Sequence, residues 1–194
     1  EIATHAVSDI FDVEKLTLPK GTHMYNNYMS KGVDREGNFY CVAAIESSSP
    51  IANGVGYDHA ILKYDQESGE FVFFAPFDNE DKSAERQFCF DDKNNLCYIS
   101  GDKLRRIKAN GQAMVDQPLE FSTIKYRQRH FKGISAAVNG GLFFLVEYLL
   151  EDYSTVTRLY RLGPGGLLGD TKVASLPTGD GRGLYKASGA VLYT

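Results

Sequence analysis

The chain has 194 residues, of which 43% are hydrophobic, 12% aromatic and 24% charged. This composition is typical of a soluble globular domain with one core, and it excludes a disordered chain. Lys and Arg number 21 against 25 Asp and Glu, so the net charge of −4 disfavours a nucleic-acid partner. The longest apolar runs, such as 141–146, are far shorter than the roughly 20 residues that span a bilayer, and we expect no membrane insertion.

Extended runs rich in Tyr, Phe, Val and Ile, separated at short intervals by Gly, Asn and Asp, predict an all-β chain. A turn followed by an apolar run occurs four times, at steps of 46 to 57 residues. The four are Gly37-Asn38 before FYCVA, Asn94-Asn95 before LCYIS, Gly140-Gly141 before LFFLV, and Ser188-Gly189 before AVLYT. Another extended run precedes each of them, so we predict a hairpin that repeats four times.

A second series of strands lies between these hairpins. Its members are HAILKYD from His59, KLRRIKA from Lys103 and VTRLYRLG from Val156, each followed by a turn and a further extended run. The further run ends in proline each time, and the prolines in this position are Pro19, Pro76, Pro118 and Pro177. Proline suits the outer edge of a sheet, where no partner strand needs its missing N–H.

Four antiparallel strands that recur every 42 to 59 residues predict a single β-propeller domain spanning 1–194. We assign three full blades to 20–76, 77–118 and 119–177, the last two strands of a blade to 1–19, and the first two to 178–194. The termini then either complete one split blade, giving a ring of about four blades, or belong to a larger propeller or an oligomer. An immunoglobulin-like sandwich is the alternative fold, although it would not place the same turn and proline in register four times.

The apolar strands also predict which side chains form the core. The predicted core positions and their pleat neighbours are Phe39, Cys41, Leu96, Tyr98, Leu142, Phe144 and Leu192. Cys41, Cys89 and Cys97 lie in apolar runs and are predicted to be small buried side chains. A four-residue turn at 92–95 would place Phe90 opposite Cys97, so we expect no disulfide between Cys89 and Cys97.

The cellular compartment is left open by the sequence. Free thiols and the absence of an N-x-Ser/Thr sequence argue against eukaryotic secretion. The chain opens on Glu1 and not on Met, so we expect a processed product or a fragment.

In a blade, the loops between strands two and three, and those between consecutive blades, lie on one face, here called the loop face. The predicted loops on it are KGTHMYNN after Pro19, SSSPIANGVGYD from Ser47, FDNEDKSAE from Phe77, EFSTIKYRQRH from Glu120 and EDYST from Glu151. The opposite turns are short, apart from GPGGLLGD at 163–170. Long loops at one end of a rigid scaffold are a usual place for binding, so we predict a binding site on the loop face.

Two of these loops carry the mixture of groups that recognises sugars. Aromatic rings stack on the C–H face of a sugar, while amides and carboxylates bind its hydroxyl groups. The candidate ligand-binding residues in these loops are Tyr25, Asn26, Asn27, Asn53, Tyr57, Asp58 and His59, with Tyr28 beside them.

Another loop is basic, and the loop before it is acidic. Arg127, Arg129 and His130, flanked by Lys125 and Lys132, complete the candidate ligand-binding set. Tyr126 and Phe131 alternate with them, a pattern that can bind phosphate, sulfate or a single nucleic-acid strand. The alternative is a solvated, salt-bridged loop, since Asp78, Glu80 and Asp81 lie in the preceding inter-blade loop.

Sequence motifs for catalysis are missing. The chain has no HExxH, GxSxG, Walker or paired-Cys motif, and its four histidines are dispersed. We therefore predict no catalytic residue and no cofactor, and favour a protein without enzymatic activity. A propeller can gather acidic side chains from several blades around a central ion, so a metal site stays undetermined and calcium stays open.

The segments GVDREGNFYCVAA, FCFDDKNNLCYISGDKLRRI and GRGLYKASGAVLYT resemble the hairpins of tachylectin-like lectins and of NHL or lactonase-type propellers. In these families a Gly-Asn or Asn-Gly turn precedes an apolar-Tyr strand. The first resemblance implies a lectin, and the second a metal-dependent hydrolase or lyase with an ion in the central channel. No functional residue is carried over from either family.

The function favoured by these patterns is a non-enzymatic binding module whose loop face engages a partner. As the partner, a glycan is favoured slightly over a protein surface, because the candidate loops combine aromatic and amide side chains. The alternatives are the lactonase-type hydrolase or lyase and a protein–protein scaffold.

Overall fold

In the computed structural model, every regular element of the described residues is a β-strand. The structure describes residues 17–23, 31–46, 59–78, 87–121, 124–137, 140–163 and 168–169. No helix occurs in these ranges, and so none that is long and apolar enough to cross a membrane. The prediction of an all-β chain with antiparallel sheets is confirmed.

The strands form three antiparallel sheets, and in the second and third sheets they lie side by side in chain order. In the first sheet, β1 (Thr22–His23) and β2 (Lys31–Val33) both pair with β3 (Phe39–Ile45), which is followed by β4 (His59–Asp65) and β5 (Glu70–Pro76). The second sheet contains β6 (Cys89–Phe90), β7 (Leu96–Ser100), β8 (Lys103–Ile107) and β9 (Gln117–Pro118). The third contains β10 (Gln128–Ala136), β11 (Leu142–Leu149), β12 (Thr155–Leu162) and β13 (Leu168–Gly169).

Five tight turns in the described part of the chain close with the same two backbone hydrogen bonds. The N–H of the first residue bonds the carbonyl of the fifth, and the N–H of the fourth bonds the carbonyl of the first. The turns span 34–38, 91–95, 108–112, 137–141 and 150–154. Their fourth residues all have a positive φ: Gly37 (87°), Asn94 (60°), Gly111 (83°), Gly140 (79°) and Tyr153 (66°). Left-handed backbone favours Gly and Asn, so Tyr153 is the exception among them.

An aspartate at the first position stabilises two of these turns. Asp34 Oδ1 accepts hydrogen bonds from the N–H groups of Glu36 and Asn38, both at 2.9 Å. Its Oδ2 accepts from the Asn38 amide at 2.8 Å and from the Tyr40 hydroxyl at 3.2 Å. Asp91 accepts the equivalent bonds from the third and fifth residues of its own turn. Burial opposes the ionisation of Asp34, but the hydrogen bonds outweigh it and lower the pKa of this carboxyl group.

The second sheet lies between the other two, and this placement explains its apolar central strand. Along β7, Leu96 and Tyr98 pack into a cluster with the first sheet, while Cys97 and Ile99 pack into a cluster with the third. Successive strand residues point to opposite faces, so both faces of β7 are covered and all of its residues are buried. The strand is therefore apolar from Leu96 to Ile99 and ends in the buried Ser100.

The predicted core positions in the described residues lie in or beside these clusters. Cys41, Leu96, Tyr98, Leu142 and Phe144 are buried, and Phe39 is half-buried. Leu192 lies outside the described residues.

The three sheets also meet at their first strands and at the turns that follow them. The Asn94 side chain of the second sheet reaches the turn of the first sheet, where its Oδ1 accepts a hydrogen bond from the Arg35 N–H at 3.1 Å. A Cβ added to Gly140 of the third sheet would lie 2.5 Å from Asp92 Oδ2, and one added to Gly32 would lie 2.8 Å from the Phe88 ring. Consecutive blades would need such contacts. Ring closure, blade number and the assignment of 1–19 and 178–194 to a split blade stay predictions.

Three predicted loops are shorter in the structure, because backbone pairing extends into them. Thr22 and His23 pair with β3, although both were expected in a loop. Strand β10 begins at Gln128, so Arg129 and His130 are strand residues. Strand β13 lies inside the predicted 163–170 turn. Backbone groups make these ladders, so polar residues and glycine can take part in them.

The predicted register of the second hairpin is wrong. Cys89 lies opposite Cys97 and Phe90 lies opposite Leu96. The reason is the length of the turn: Asp91 bonds Asn95 across a loop of only three residues, which the left-handed Asn94 allows. Cys41, Cys89 and Cys97 are all free thiols, as expected.

Candidate functional site

Four of the predicted ligand-binding residues belong to the described part of the chain. Arg127, Arg129 and His130 lie at the start of the third sheet, and His59 lies at the start of β4 in the first. The other predicted residues, Tyr25, Asn26, Asn27, Asn53, Tyr57 and Asp58, lie outside the described residues.

His59 is a half-buried strand residue. Its backbone lies opposite Ala44, and its carbonyl oxygen accepts a hydrogen bond from the Phe77 N–H at 3.0 Å. Its position at the start of β4 places it where the 46–59 connection enters the sheet, which is on the predicted loop face.

The basic run on β10 is divided between the two faces of the strand. Arg129 and Phe131 lie on one face and His130 on the other, because side chains alternate along a strand, and the ladder shifts register between Phe131 and Gly133. Lys132 Nζ is 3.4 Å from Glu147 Oε1, and Glu147 lies opposite His130 in the ladder. The basic residues between Lys125 and Lys132 therefore do not form one continuous positive surface.

Arg129 lies in a partly buried aromatic environment. Its guanidinium carbon is 4.8 Å from the Phe121 ring centroid, 5.1 Å from that of Phe131 and 5.7 Å from that of Tyr126. It also forms an ion pair with Asp102, which joins the third sheet to the turn between β7 and β8. Only 12% of the Arg129 side chain is exposed. Through its cation–π contacts and its ion pair, Arg129 stabilises the packing at this end of the sheets.

Two buried tyrosines lie behind this arginine. The hydroxyl groups of Tyr148 and Tyr160 are 2.8 Å apart, and the Tyr148 ring centroid is 5.3 Å from that of Tyr126. Burial raises the pKa of Tyr148, and the hydrogen bond to Tyr160 raises it further, so the phenol stays protonated. The Tyr126 ring therefore packs against the buried ring of Tyr148, which its hydrogen bond to Tyr160 holds in place.

The exposed part of the site is formed by Tyr126, Arg127 and Tyr153, which we call the tyrosine–arginine patch. The Arg127 guanidinium lies 4.3 Å from the Tyr153 ring centroid. Arg127 also donates its backbone N–H to the Leu149 carbonyl at 2.8 Å, which fixes it beside the 150–154 turn. Tyr126 is 41% exposed and Tyr153 is 69% exposed. The patch therefore presents two phenol rings and a guanidinium to solvent.

The turn that carries Tyr153 is tightly defined. Asp152 Oδ1 accepts hydrogen bonds from the backbone N–H of Ser154 at 3.0 Å and from its hydroxyl at 2.6 Å. These bonds lower the pKa of Asp152, so the carboxylate is ionised at neutral pH. The turn thus holds Tyr153 with a positive φ beside a negative charge.

The acidic inter-blade loop is tied to the second sheet. Asp78 forms an ion pair with Arg105, and Asp116 Oδ2 lies 3.4 Å from Arg105 Nη2. These groups line a cleft of about 100 Å³ between the first and second sheets. Glu80 and Asp81 lie outside the described residues.

Sequence reasoning missed Tyr153, although its loop was predicted to lie on the loop face. The available signal was the turn: in LEDYS, Tyr153 takes the position that Gly37, Asn94 and Gly140 take in the repeated hairpins. Within the described ranges, no group of three or more His, Cys, Asp or Glu side chains is placed to hold a metal ion.

Comparisons with known proteins add structural neighbours of low similarity. No protein-family model and no curated protein matches the chain. A protein of unknown function from Bacteroides caccae has 17% identity and a TM-score of 0.39, over 78% of this chain and 50% of that one. The subtype N11 neuraminidase-like protein of A/flat-faced bat/Peru/033/2010 has 14% identity and a TM-score of 0.43, over 83% and 43%.

A fucose lectin from Kordia zhangzhouensis, solved with methyl-fucoside, has 14% identity and a TM-score of 0.36, over 74% of this chain and 98% of that one. The present chain spans half or less of the other two neighbours. All three TM-scores lie below 0.5, so these neighbours support no conclusion about the function of this chain.

Proposed function

We propose that this protein is a non-enzymatic carbohydrate-binding module and that the tyrosine–arginine patch on the loop face contacts the sugar. The observation that carries the proposal is Tyr153, a bulky and 69% exposed side chain held at a φ of 66°. An L-residue in the left-handed region costs roughly 1–2 kcal/mol relative to glycine.

This cost distinguishes Tyr153 from the equivalent residues of the other turns. Four turns with the same hydrogen bonds have Gly or Asn at this position. Strained residues cluster at ligand sites, where the surrounding structure holds them in place. Since Tyr153 is exposed and adds little to the core, a role in binding accounts for it better than a role in folding.

The chemistry of the patch suits a pyranose or furanose ring. The exposed face of Tyr126 or Tyr153 can stack on sugar C–H groups, and the Arg127 guanidinium can donate to a pair of hydroxyl oxygens or to a carboxylate. Arg127 lies over the Tyr153 ring, so the donor and the stacking surface are already adjacent in the unbound protein. Such preorganisation lowers the entropic cost of binding.

The size of the patch favours a sugar over a protein surface. A stable protein interface buries about 800 Å² per partner and has an apolar centre. Among the described residues, the exposed large hydrophobic side chains near Arg127 are Tyr126 and Tyr153, while the others lie on β2, on β5 and in the 108–116 segment. Two exposed rings among charged side chains form a small and polar contact surface, which suits a sugar better than a protein partner.

A glycan array tests the proposal directly. The wild-type chain is expected to bind a defined subset of glycans, and Arg127→Ala is expected to lose most of that signal. Arg35→Ala is the matched control, because Arg35 is an exposed arginine in a turn at the opposite end of the sheets. Wild-type protein that binds no glycan, or equal losses in the two variants, would overturn the proposal.

A further inference from the structure

The second hairpin places two thiols directly across from each other. Cys89 of β6 and Cys97 of β7 are ladder partners, so their side chains extend from the same face of the sheet. Both pack in the cluster between the second and third sheets, where Cys97 is fully buried and Cys89 is half-buried. Cys41 belongs to a different cluster, in the first sheet.

The distance between these positions suits a disulfide. Asp91 donates its N–H to the Asn95 carbonyl, so the pair two residues further along the ladder, Cys89 and Cys97, is of the hydrogen-bonded kind. Such pairs have Cα atoms about 5.5 Å apart, inside the range of about 4.4–6.8 Å found for disulfides. We propose that Cys89 and Cys97 are a site of reversible disulfide formation that staples the first strand of the second sheet to its neighbour.

Two movements would bring the sulfur atoms of Cys89 and Cys97 together. Cys97 Sγ now lies 3.7 Å from Asp91 Oδ2 and 3.5 Å from the Asn95 carbonyl oxygen, which are weak contacts. Asp91 would keep its hydrogen bond from the Asn95 amide at 3.0 Å after Cys97 turned towards Cys89. Opposed Cβ atoms in a ladder are about 4.5–5.5 Å apart, with hydrogen-bonded pairs at the longer end, and about 3.8 Å apart in a disulfide, so the two strands must approach each other by roughly 1–2 Å. The resulting strain makes the bond readily reducible.

The reaction is a thiol–disulfide exchange with a small-molecule disulfide as oxidant. The thiolate of Cys89, the more exposed residue, attacks one sulfur of oxidised glutathione, forming a mixed disulfide and releasing one glutathione thiolate. The thiolate of Cys97 then attacks Cys89 Sγ, forming the protein disulfide and releasing the second glutathione thiolate. The two cysteine protons pass to the released glutathiones. Burial raises the pKa of Cys89 to about 12, so little thiolate is present at neutral pH and the first step is slow.

The test counts the thiols of the folded 194-residue chain. The protein is incubated with a mixture of oxidised and reduced glutathione, quenched with acid, and alkylated in denaturant for mass spectrometry. We expect one alkylated cysteine, Cys41, in place of three, and a cross-linked peptide that joins Cys89 to Cys97. Treatment of the oxidised protein with a mild reductant should restore three alkylated cysteines.

The Cys41→Ser variant is the matched control and should change from two alkylated cysteines to none. Cys89→Ser should keep two after the same oxidation. Three alkylated cysteines after oxidation of a chain whose circular dichroism shows it folded, a bond that includes Cys41, or glutathione left on Cys89 without closure would each overturn the proposal.

Discussion

The side-chain oxygen of Asn94 accepts a hydrogen bond from the backbone N–H of Arg35, at 3.1 Å, and so links the turn of the second sheet to the turn of the first. Asn94 also has a φ of 60°, which its own turn requires. One residue therefore serves two purposes, since Asn tolerates left-handed backbone and offers a hydrogen-bonding amide.

Substitutions at Asn94 should separate these two roles. Asn94→Gly keeps the left-handed backbone but removes the side-chain hydrogen bonds with the Arg35 N–H and with Asp34 Oδ2, and we expect a loss of about 1–2 kcal/mol. Asn94→Ala adds backbone strain and should lose about 1–2 kcal/mol more. Urea unfolding measures both, with Gly37→Ala as the control for strain alone, because a Cβ there would meet no atom within 4 Å. Equal stability of the Gly and Ala variants would contradict this explanation.

Asp34 should make stability depend on acidic pH. Its pKa in the folded state lies below the usual 3.8, because hydrogen bonds to the carboxylate outweigh the effect of burial. A lowered pKa stabilises the fold above the unfolded-state value, and this contribution is lost as the pH falls through the folded-state pKa. We expect wild-type protein to lose stability below about pH 4 more steeply than Asp34→Asn does.

The measurement is the free energy of unfolding from pH 7 to pH 2.5 for both proteins. At pH 7, Asp34→Asn should be less stable by about 1–3 kcal/mol, because it gives up a carboxylate that accepts five hydrogen bonds. The difference should narrow at low pH. A difference that stays constant over the whole range would contradict the assigned pKa direction.

Arg129 should matter more for stability than its ion-pair partner. Asp102 is 64% exposed, so Asp102→Ala should cost only about 0.2–1 kcal/mol. Arg129→Ala also removes contacts with three aromatic rings, each worth about 0.5–1 kcal/mol, so a loss of about 2 kcal/mol is expected. Thermal unfolding of both variants and of the double variant gives the coupling energy. Equal losses in the two single variants would show that the rings contribute nothing.

The sequence was most informative where one physical requirement decides the residue. Left-handed turn positions need Gly or Asn, so the turns at Gly37, Asn94 and Gly140 could be placed from the sequence alone. Strands buried on both faces need unbroken apolar runs, which identified β3 and β7. Strand ends were harder to predict, because a ladder needs only backbone groups and can extend through Thr22-His23 or Arg129-His130.

The register of the Cys89 hairpin and the role of Tyr153 could not be predicted in the same way. A turn of three residues and one of four fit DDKNN equally well, and only the left-handed Asn94 distinguishes them. The other turns were located by a Gly or Asn at the left-handed position, and Tyr153 occupies that position with neither. Since its cost is recognised only once φ is known, sequence reasoning that depends on propensity passes over such a residue.

Relief of strain at Tyr153 should make the protein more stable. Tyr153→Asn keeps a residue that tolerates the left-handed region, so we expect a gain of about 0.5–1 kcal/mol in the free energy of unfolding. The gain should be smaller than the full strain, because the contact with Arg127 is lost. Urea unfolding measures this, and Tyr153→Ala, which keeps the strain, should be no more stable than wild type.

The most direct test of the proposed function measures the same Tyr153→Asn variant in binding. Isothermal titration with the strongest glycan from the array gives the affinity of wild type, Tyr153→Asn and the exposed-surface control Val115→Ala. Loss of a stacking surface worth about 1.4 kcal/mol corresponds to a tenfold lower affinity. We predict that Tyr153→Asn is more stable than wild type and binds at least tenfold more weakly, while Val115→Ala binds normally. A Tyr153→Asn protein that binds the glycan as tightly as wild type would contradict the account.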